Sequence, residues 1–190
     1  MNWVEIYLDE GGLMSDDIKV EKIRALKFYS KSYKEYMIKV LEKIKEYYGD
    51  QLVSLVIFGF YARKENRLSS DLDILIVLKA NKPRCERIKE FVENIEMSLE
   101  YLTQKLIDEG ISIDMSPLIL SEEEAKYFNP IYLDMVEYSI IIVDKNNFIK
   151  NMLKEVREQI EEWGSYKEFV GNRWAWVIKK GEFVGGVKLG

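Results

Sequence analysis

Two acidic residues, Asp71 and Asp73, stand at the entrance of an apolar run that ends at Leu78. Residues 72–78 contain nothing polar except Asp73, which predicts a strand that is buried on both faces. Because side chains alternate across a strand, the two carboxylates share one face, ~6.6 Å apart along it at ~3.3 Å per residue. Neighbouring carboxylates at the mouth of a buried strand repel each other and resist desolvation. A bound divalent cation would relieve both costs, so the pair indicates a metal site.

The residue types that the chain lacks narrow this chemistry further. It contains no histidine and a single cysteine, Cys85. Histidine-based catalytic triads, histidine general bases and histidine-containing zinc sites are therefore excluded. A metal ion must be held by oxygen ligands, which favours Mg²⁺ or Mn²⁺. One cysteine also excludes disulfides within the chain and makes a reducing compartment the default expectation.

Asp114 is the candidate for a third carboxylate beside this pair. Alternation over residues 111–116 puts the serines and Asp114 on one face and the apolar residues on the other. A strand with an apolar back and one acid on its polar face suits a site next to Asp71 and Asp73. The alternative interpretation is an amphipathic edge strand with a solvated aspartate. Three other acids fit less well, because they are predicted at a helix end, within a helix and after a strand: Asp108, Asp134 and Asp144.

Gly59 lies between the preceding apolar run, residues 52–58, and a short basic segment. Because glycine has no Cβ, a ligand phosphate can approach the backbone closely, and the N–H groups of the following turn point towards it. Arg63, Lys64 and Arg67 follow within eight residues and could neutralise a polyphosphate. The alternative is an ordinary strand-to-helix turn with solvated basic residues.

The spacing of these features resembles the signature of the DNA polymerase beta-like nucleotidyltransferase superfamily. Gly59-Phe60, ten residues and then Asp71-Leu72-Asp73 are similar to its Gly-Ser, short segment, Asp-x-Asp pattern. Residues 130–190 also resemble the tail of archaeal members. The positions that line up with the motif of the small prokaryotic members are Gly59, Tyr61, Ala62, Arg63, Ser70, Asp71, Leu72 and Asp73.

The resemblance implies transfer of a nucleoside monophosphate from a nucleoside triphosphate to an acceptor hydroxyl, with release of pyrophosphate. It implies two Mg²⁺ (or Mn²⁺) ions in the site. The implied catalytic and metal-binding residues are Asp71, Asp73 and Asp114. The implied nucleotide-binding residues are Gly59, Phe60, Arg63, Lys64 and Ser70. The motif is altered at two of these positions, since Phe60 replaces its serine and Lys64 its second glycine.

Phe60 leaves an alternative function open. In the family the serine hydroxyl helps to hold the terminal phosphates, so a catalytically degenerate protein that senses nucleotides or binds a partner, as an antitoxin does, is the second hypothesis. The intact aspartates favour the enzyme. A variant of the enzyme hypothesis is the modifying half of a toxin–antitoxin pair, which adenylylates a partner protein. The acceptor could be a protein or an RNA, and the net charge of −5 fits a protein better than a long RNA.

The alternation of strands and helices predicts an α/β (α+β) domain of the nucleotidyltransferase fold, a mixed sheet packed by helices. Residues 1–48 are expected to form a strand and a long helix from about Asp17 to Tyr48. Residues 49–125 are expected to form the core of the nucleotidyltransferase fold. Residues 126–190 are expected to add a strand–helix, tryptophan-rich extension whose tail, 165–190, is irregular, all in one compact domain. No apolar run reaches the ~18 residues of a membrane span, so a soluble cytoplasmic protein is expected.

Overall fold

The structure is a computed structural model that describes residues 26–80, 82–171 and 173–178. The predicted strand near the N-terminus lies outside these residues. No helix in the described part of the chain is long and apolar enough to cross a membrane.

In chain order the elements are α1 (Lys31–Tyr48), β1 (Leu52–Ile57), α2 (Gly59–Ala62), β2 (Leu72–Leu78), α3 (Arg84–Phe91), α4 (Glu100–Asp108), β3 (Met115–Ser121), α5 (Glu122–Ala125), α6 (Ile131–Met135), β4 (Ile140–Asp144), α7 (Phe148–Glu162), β5 (Tyr166–Val170) and β6 (Arg173–Val177).

Four of the strands form one mixed sheet in the order β3-β2-β1-β4. β1 runs antiparallel to both β2 and β4, whereas β2 and β3 are parallel. β5 and β6 form a separate antiparallel pair. The fold class expected from the sequence, a mixed sheet packed by helices, is therefore confirmed.

Helices cover the sheet on both faces, and alternate residues of β2 enter the two layers. Leu72 and Ile74 belong to the hydrophobic cluster that includes α1 and α4, whereas Leu75 and Val77 belong to the cluster of α6 and α7. All of β1 is buried, and Asp73 is the one position of β2 that is not fully buried. The apolar runs therefore correctly predicted strands with two covered faces. By the same alternation, Asp73 lies on the α6–α7 side of the sheet.

The predicted start of the long helix is wrong, because residues 26–30 are not helical and α1 begins at Lys31. Ser30 ends the non-helical segment: it has an extended backbone, and its Oγ accepts a hydrogen bond from the Tyr33 N–H at 3.1 Å. A serine side chain that bonds to the backbone in this way caps a helix rather than continuing it. The predicted cap at residues 15–17 lies outside the described residues.

The irregular tail expected after residue 165 is also corrected, since β5 and β6 form a hairpin there. Gly171 has φ +63° in the connection between the two strands, a conformation that glycine adopts without strain. The Lys167 ammonium lies 5.2 Å from the centre of the Trp176 ring and pairs with Glu137. Charged residues interrupt the apolar alternation of β5, which is why its sequence did not indicate a strand.

A chain of buried hydrogen bonds joins α1 to the loop that precedes β2. Asn66 Nδ2 donates to the Tyr33 hydroxyl at 3.2 Å, and that hydroxyl donates to the hydroxyl of Tyr61. The Tyr61 hydroxyl in turn donates to the Ser70 carbonyl oxygen at 3.2 Å. Ser70 directly precedes Asp71, so this chain of bonds holds the backbone from which Asp71 extends.

We expect Tyr61→Phe to lower the free energy of unfolding by about 1–3 kcal/mol, because it leaves the buried Tyr33 donor and the Ser70 carbonyl without a partner. Tyr101→Phe is the matched control, since Tyr101 is 67% exposed. Urea unfolding of both variants measures the difference. Equal stabilities would show that the chain of bonds does not stabilise the loop.

Candidate functional site

Gly59 and Asp73 meet where β1 ends and β2 begins. The two strands are antiparallel, so the end of β1 and the start of β2 lie at the same edge of the sheet. The Phe58 N–H donates to the Asp73 carbonyl oxygen at 3.1 Å across this edge. Gly59 has φ +65°, and a Cβ built there would lie 2.1 Å from Oδ2 of Asp73. Only glycine therefore allows the Asp73 carboxylate to lie directly against the backbone of the turn.

Asp71 and Asp73 lie within electrostatic range of each other, as their spacing predicted. Asp71 is exposed just before β2, and Asp73 is half-buried inside it. Burial raises the pKa of the Asp73 carboxyl, the negative charge of Asp71 raises it further, and the Arg63 guanidinium opposes both effects. The Ser116 hydroxyl forms a hydrogen bond with the Asp73 carboxylate. The pair is thus a site of concentrated negative charge, partly shielded from water.

The backbone of Asp114 lies beside the pair. The Leu72 N–H donates to the Asp114 carbonyl oxygen at 2.8 Å, which continues the parallel β2–β3 register. Asp114 is exposed and precedes the start of β3, and its charge helps to raise the pKa values of Glu96 and Tyr36, which burial raises most. Within the described residues, no three acidic or cysteine side chains lie close enough to hold a metal ion.

The other predicted nucleotide-binding residues surround Gly59. Phe60 and Arg63 belong to the turn formed by α2, and the Arg63 guanidinium lies 4.9 Å from the centre of the Phe60 ring. Lys64 is exposed and has φ +60°. The Ser70 Oγ accepts a hydrogen bond from the Arg67 N–H at 2.8 Å, so it stabilises the loop and still has a proton to donate. Their roles at a nucleotide remain predictions.

Two residues of the site were missed by the sequence analysis. Asp134, on α6, accepts a hydrogen bond from Arg63 Nη1 at 3.0 Å. Its predicted position within a helix gives no sign of a role in the site, and no local signal predicts a partner 71 residues away. Ser116 lies on the polar face that alternation predicted, so that pattern could have identified it as a neighbour of Asp73.

The donor chemistry of the pair fits a divalent cation. Asp71 and Asp73 supply carboxylate oxygens, the ligands that Mg²⁺ and Mn²⁺ prefer. A cation bound there would offset the repulsion that raises the pKa of Asp73. Two of the three predicted ligands, Asp71 and Asp73, thus lie within electrostatic range of each other. The role of Asp114 as the third ligand remains a prediction.

Comparison with known proteins identifies one family and one curated relative. The family model of the nucleotidyltransferase domain matches residues 37–164. A protein of Methanocaldococcus jannaschii, provisionally named a protein adenylyltransferase, is 31% identical over 123 residues, which are 64% of this chain and 78% of that protein.

Solved structures that are similar to this chain match it at low scores, and two examples are toxin–antitoxin complexes. One is a toxin–antitoxin complex with AMP-PNP, with 15% identity, a TM-score of 0.41, and coverage of 71% of this chain and 94% of that one. The other contains a tri-AMPylated HEPN toxin of Shewanella oneidensis with its MNT antitoxin, with 14% identity, a TM-score of 0.36, and coverage of 68% and 92%. Scores this low carry no argument about the activity or the partners of this chain.

We expect Lys64→Gly to stabilise the protein by about 0.5–1 kcal/mol, because a left-handed backbone costs an L-residue more than glycine loses in chain entropy. Lys79→Gly is the control, since Lys79 is also exposed but does not have a positive φ. Urea unfolding should show opposite signs for the two variants. If both destabilise the protein alike, the conformation of Lys64 is not strained.

We expect Asp73→Asn to raise the melting temperature at pH 7 in the presence of EDTA. The folded state raises the pKa of Asp73 above its ordinary value of 3.8, so its ionisation begins to cost stability as the pH rises above 3.8 and costs most above the folded pKa. The gain should shrink as the pH falls towards 3.8. Asp71→Asn should give a smaller gain, because Asp71 is exposed and loses only the repulsion. Thermal melts across pH measure this, and a lower melting temperature for Asp73→Asn would contradict it.

Proposed function

Because this chain belongs to the nucleotidyltransferase domain family, we propose that it transfers a nucleoside monophosphate from a nucleoside triphosphate to an acceptor hydroxyl. The observation that supports the proposal most strongly is the contact between Gly59 and Asp73, beside Asp71. A backbone without a Cβ and two carboxylates at one sheet edge can hold phosphates and a cation side by side. The intact pair favours an active enzyme over the degenerate alternative.

In the proposed reaction, the acceptor oxygen attacks the α-phosphorus of the triphosphate. The bond from that phosphorus to the oxygen that bridges to the β-phosphate breaks, and pyrophosphate leaves. Asp114 is proposed to accept the hydroxyl proton, since its backbone is bonded to Leu72 next to Asp71. The turn at Gly59 and the Arg63 guanidinium position the phosphates.

Asp71 and Asp73 are proposed to hold Mg²⁺ or Mn²⁺, with Asp114 as the third ligand. When bound, the metal supplies positive charge that offsets the charge on the phosphate oxygens. The chain's own contribution is to keep the Asp73 carboxylate in place, through the Ser116 hydroxyl and the absence of a side chain at Gly59.

For the donor and the acceptor we propose ATP and a protein hydroxyl. The support is the name of the Methanocaldococcus jannaschii relative, a provisional protein adenylyltransferase. The net charge of −5 is in keeping with a protein acceptor, because a long RNA requires a cationic surface.

Thermal melts with each of the four nucleoside triphosphates, with and without Mg²⁺, test the donor site. Saturation at 100 times Kd stabilises by about 2.7 kcal/mol, which raises the melting temperature by roughly 5–10 °C for a chain of this size. We expect a Mg²⁺-dependent shift with ATP that Asp73→Asn abolishes. The control Asp108→Asn, an exposed acid at the end of α4, should keep it.

Transfer itself is tested with α-labelled ATP and, separately, mixed cellular protein or mixed cellular RNA as the acceptor. Label on protein that requires Asp73 supports the proposal. Label on RNA would overturn the acceptor but not nucleotidyl transfer. No thermal shift with any triphosphate would overturn the proposed function and favour the partner-binding alternative.

A further inference from the structure

Arg63 is held from three sides at the site. Its Nη1 donates to Asp134 Oδ2 at 3.0 Å, and its Nε donates to Glu65 Oε2 at 3.1 Å. The Phe60 ring lies 4.9 Å from its Cζ atom. Within the described residues, its second amino group, Nη2, has no hydrogen-bond partner. The guanidinium is therefore fixed in place and still has a donor to offer.

The two acidic partners of Arg63 differ in their exposure to water. The Asp134 side chain is 25% exposed and that of Glu65 is 61% exposed, while the Arg63 side chain is 13% exposed. If Asp134 lost its partner, a partly buried carboxylate would lose its hydrogen-bonded cation and keep the more distant charge of Lys167, which is costly. Glu65 can exchange Arg63 for water at little cost. An incoming phosphate would therefore displace Glu65 and leave Asp134 in place.

Asp134 already has one unsatisfied oxygen. Its Oδ1 is buried and has no hydrogen-bond partner among the described residues, so its ion pair with Arg63 is its main compensation. This strengthens the conclusion that Asp134 keeps the guanidinium on the α6 side of the site. Without Asp134, Nη1 of Arg63 would lose its carboxylate partner and could turn towards Asp73, which already interacts with Arg63 electrostatically. An Arg63–Asp73 pair would occupy both a phosphate donor and the carboxylate next to Gly59.

Phe60 adds a constraint that serine cannot supply. Its ring is 49% exposed, so it is not needed for the hydrophobic core. A ring within ~6 Å of a guanidinium attracts it through the ring quadrupole. Phe60 thus removes a hydroxyl from the motif and at the same time orients the cation three residues later.

We propose that Asp134 and the Phe60 ring are positioning residues that orient the Arg63 guanidinium towards the triphosphate, in place of the hydroxyl that the motif serine supplies in the family. The inference rests on the proposed function and deepens it. It predicts that neutralising Asp134 weakens nucleotide binding, whereas neutralising Glu65, the other acid that contacts this guanidinium, does not. A general effect of negative charge would instead make both neutral substitutions strengthen binding.

The test is the affinity for Mg²⁺–ATP, measured by calorimetry on the full chain, for wild type, Asp134→Asn, Glu65→Gln and Phe60→Ser. We expect Asp134→Asn to weaken binding by about tenfold, on the order of one charge-assisted hydrogen bond. Glu65→Gln, the matched control, should leave binding unchanged or tighten it, because it removes the group that a phosphate must displace. Phe60→Ser, although it restores the motif residue, should not tighten binding.

The combination of Arg63→Ala with Asp134→Asn separates positioning from a structural role. If Asp134 acts through Arg63, the double variant should bind Mg²⁺–ATP as weakly as Arg63→Ala alone, whereas independent effects would multiply. Asp134→Glu should recover part of the affinity. Thermal melts without nucleotide establish that each variant is folded. Because Phe60→Ser changes an exposed side chain, this variant tests the proposal even if Asp134→Asn does not fold.

The outcomes distinguish this inference from the proposed function. Tighter binding by Phe60→Ser, or equal binding by wild type and Asp134→Asn, would overturn the positioning role while nucleotide binding stands. Wild type that binds no triphosphate would instead overturn the proposed function itself.

Discussion

The antiparallel pairing of β1 with β2 is the constraint on which the site depends. Both strands are buried on two faces, so their register cannot slip without moving apolar residues out of the core. That register brings the end of one strand to the start of the other, and so brings Gly59 against the Asp73 carboxylate. The hydrogen bonds from Tyr33 through Tyr61 then hold the loop that carries Asp71. The packing of the buried strands thus holds the two carboxylates close together although they repel each other.

The carboxylates of Asp73 and Asp114 interact with different sets of charged and polar residues. Asp73 shares its face with the α6–α7 layer, where the Arg63 guanidinium lowers the pKa of its carboxyl and the charge of Asp134 raises that pKa. The Asp114 carboxylate acts instead on Glu96, at the end of a π-helical turn, and on Tyr36 in α1. Carboxylates from neighbouring strands therefore have different surroundings. A site of this kind can give its acids separate tasks, because burial and neighbouring charge set the proton affinity of each.

The two departures from the family motif have different physical consequences. Lys64 keeps the left-handed backbone that glycine would adopt without strain, so the shape of the turn is retained at a cost in stability. Phe60 changes the chemistry, since a hydroxyl is replaced by a ring that contacts Arg63. Membership of the nucleotidyltransferase family rests on the match over residues 37–164 and accommodates both changes, because the strands and the acids that carry the motif are kept.

Features that depend on neighbours along the chain could be predicted from the sequence. Apolar runs identified β1 and β2, and the spacing of Asp71 and Asp73 correctly indicated that their charges interact, because strand periodicity is a local property. Two local features were nevertheless missed. The Ser30 side chain competes with the helix backbone and caps α1, and charged residues interrupt the apolar alternation of β5 in the hairpin at residues 166–177. The pairing of Arg63 with Asp134 could not be predicted from local patterns at all, because it is decided only when residues 71 positions apart in sequence pack together.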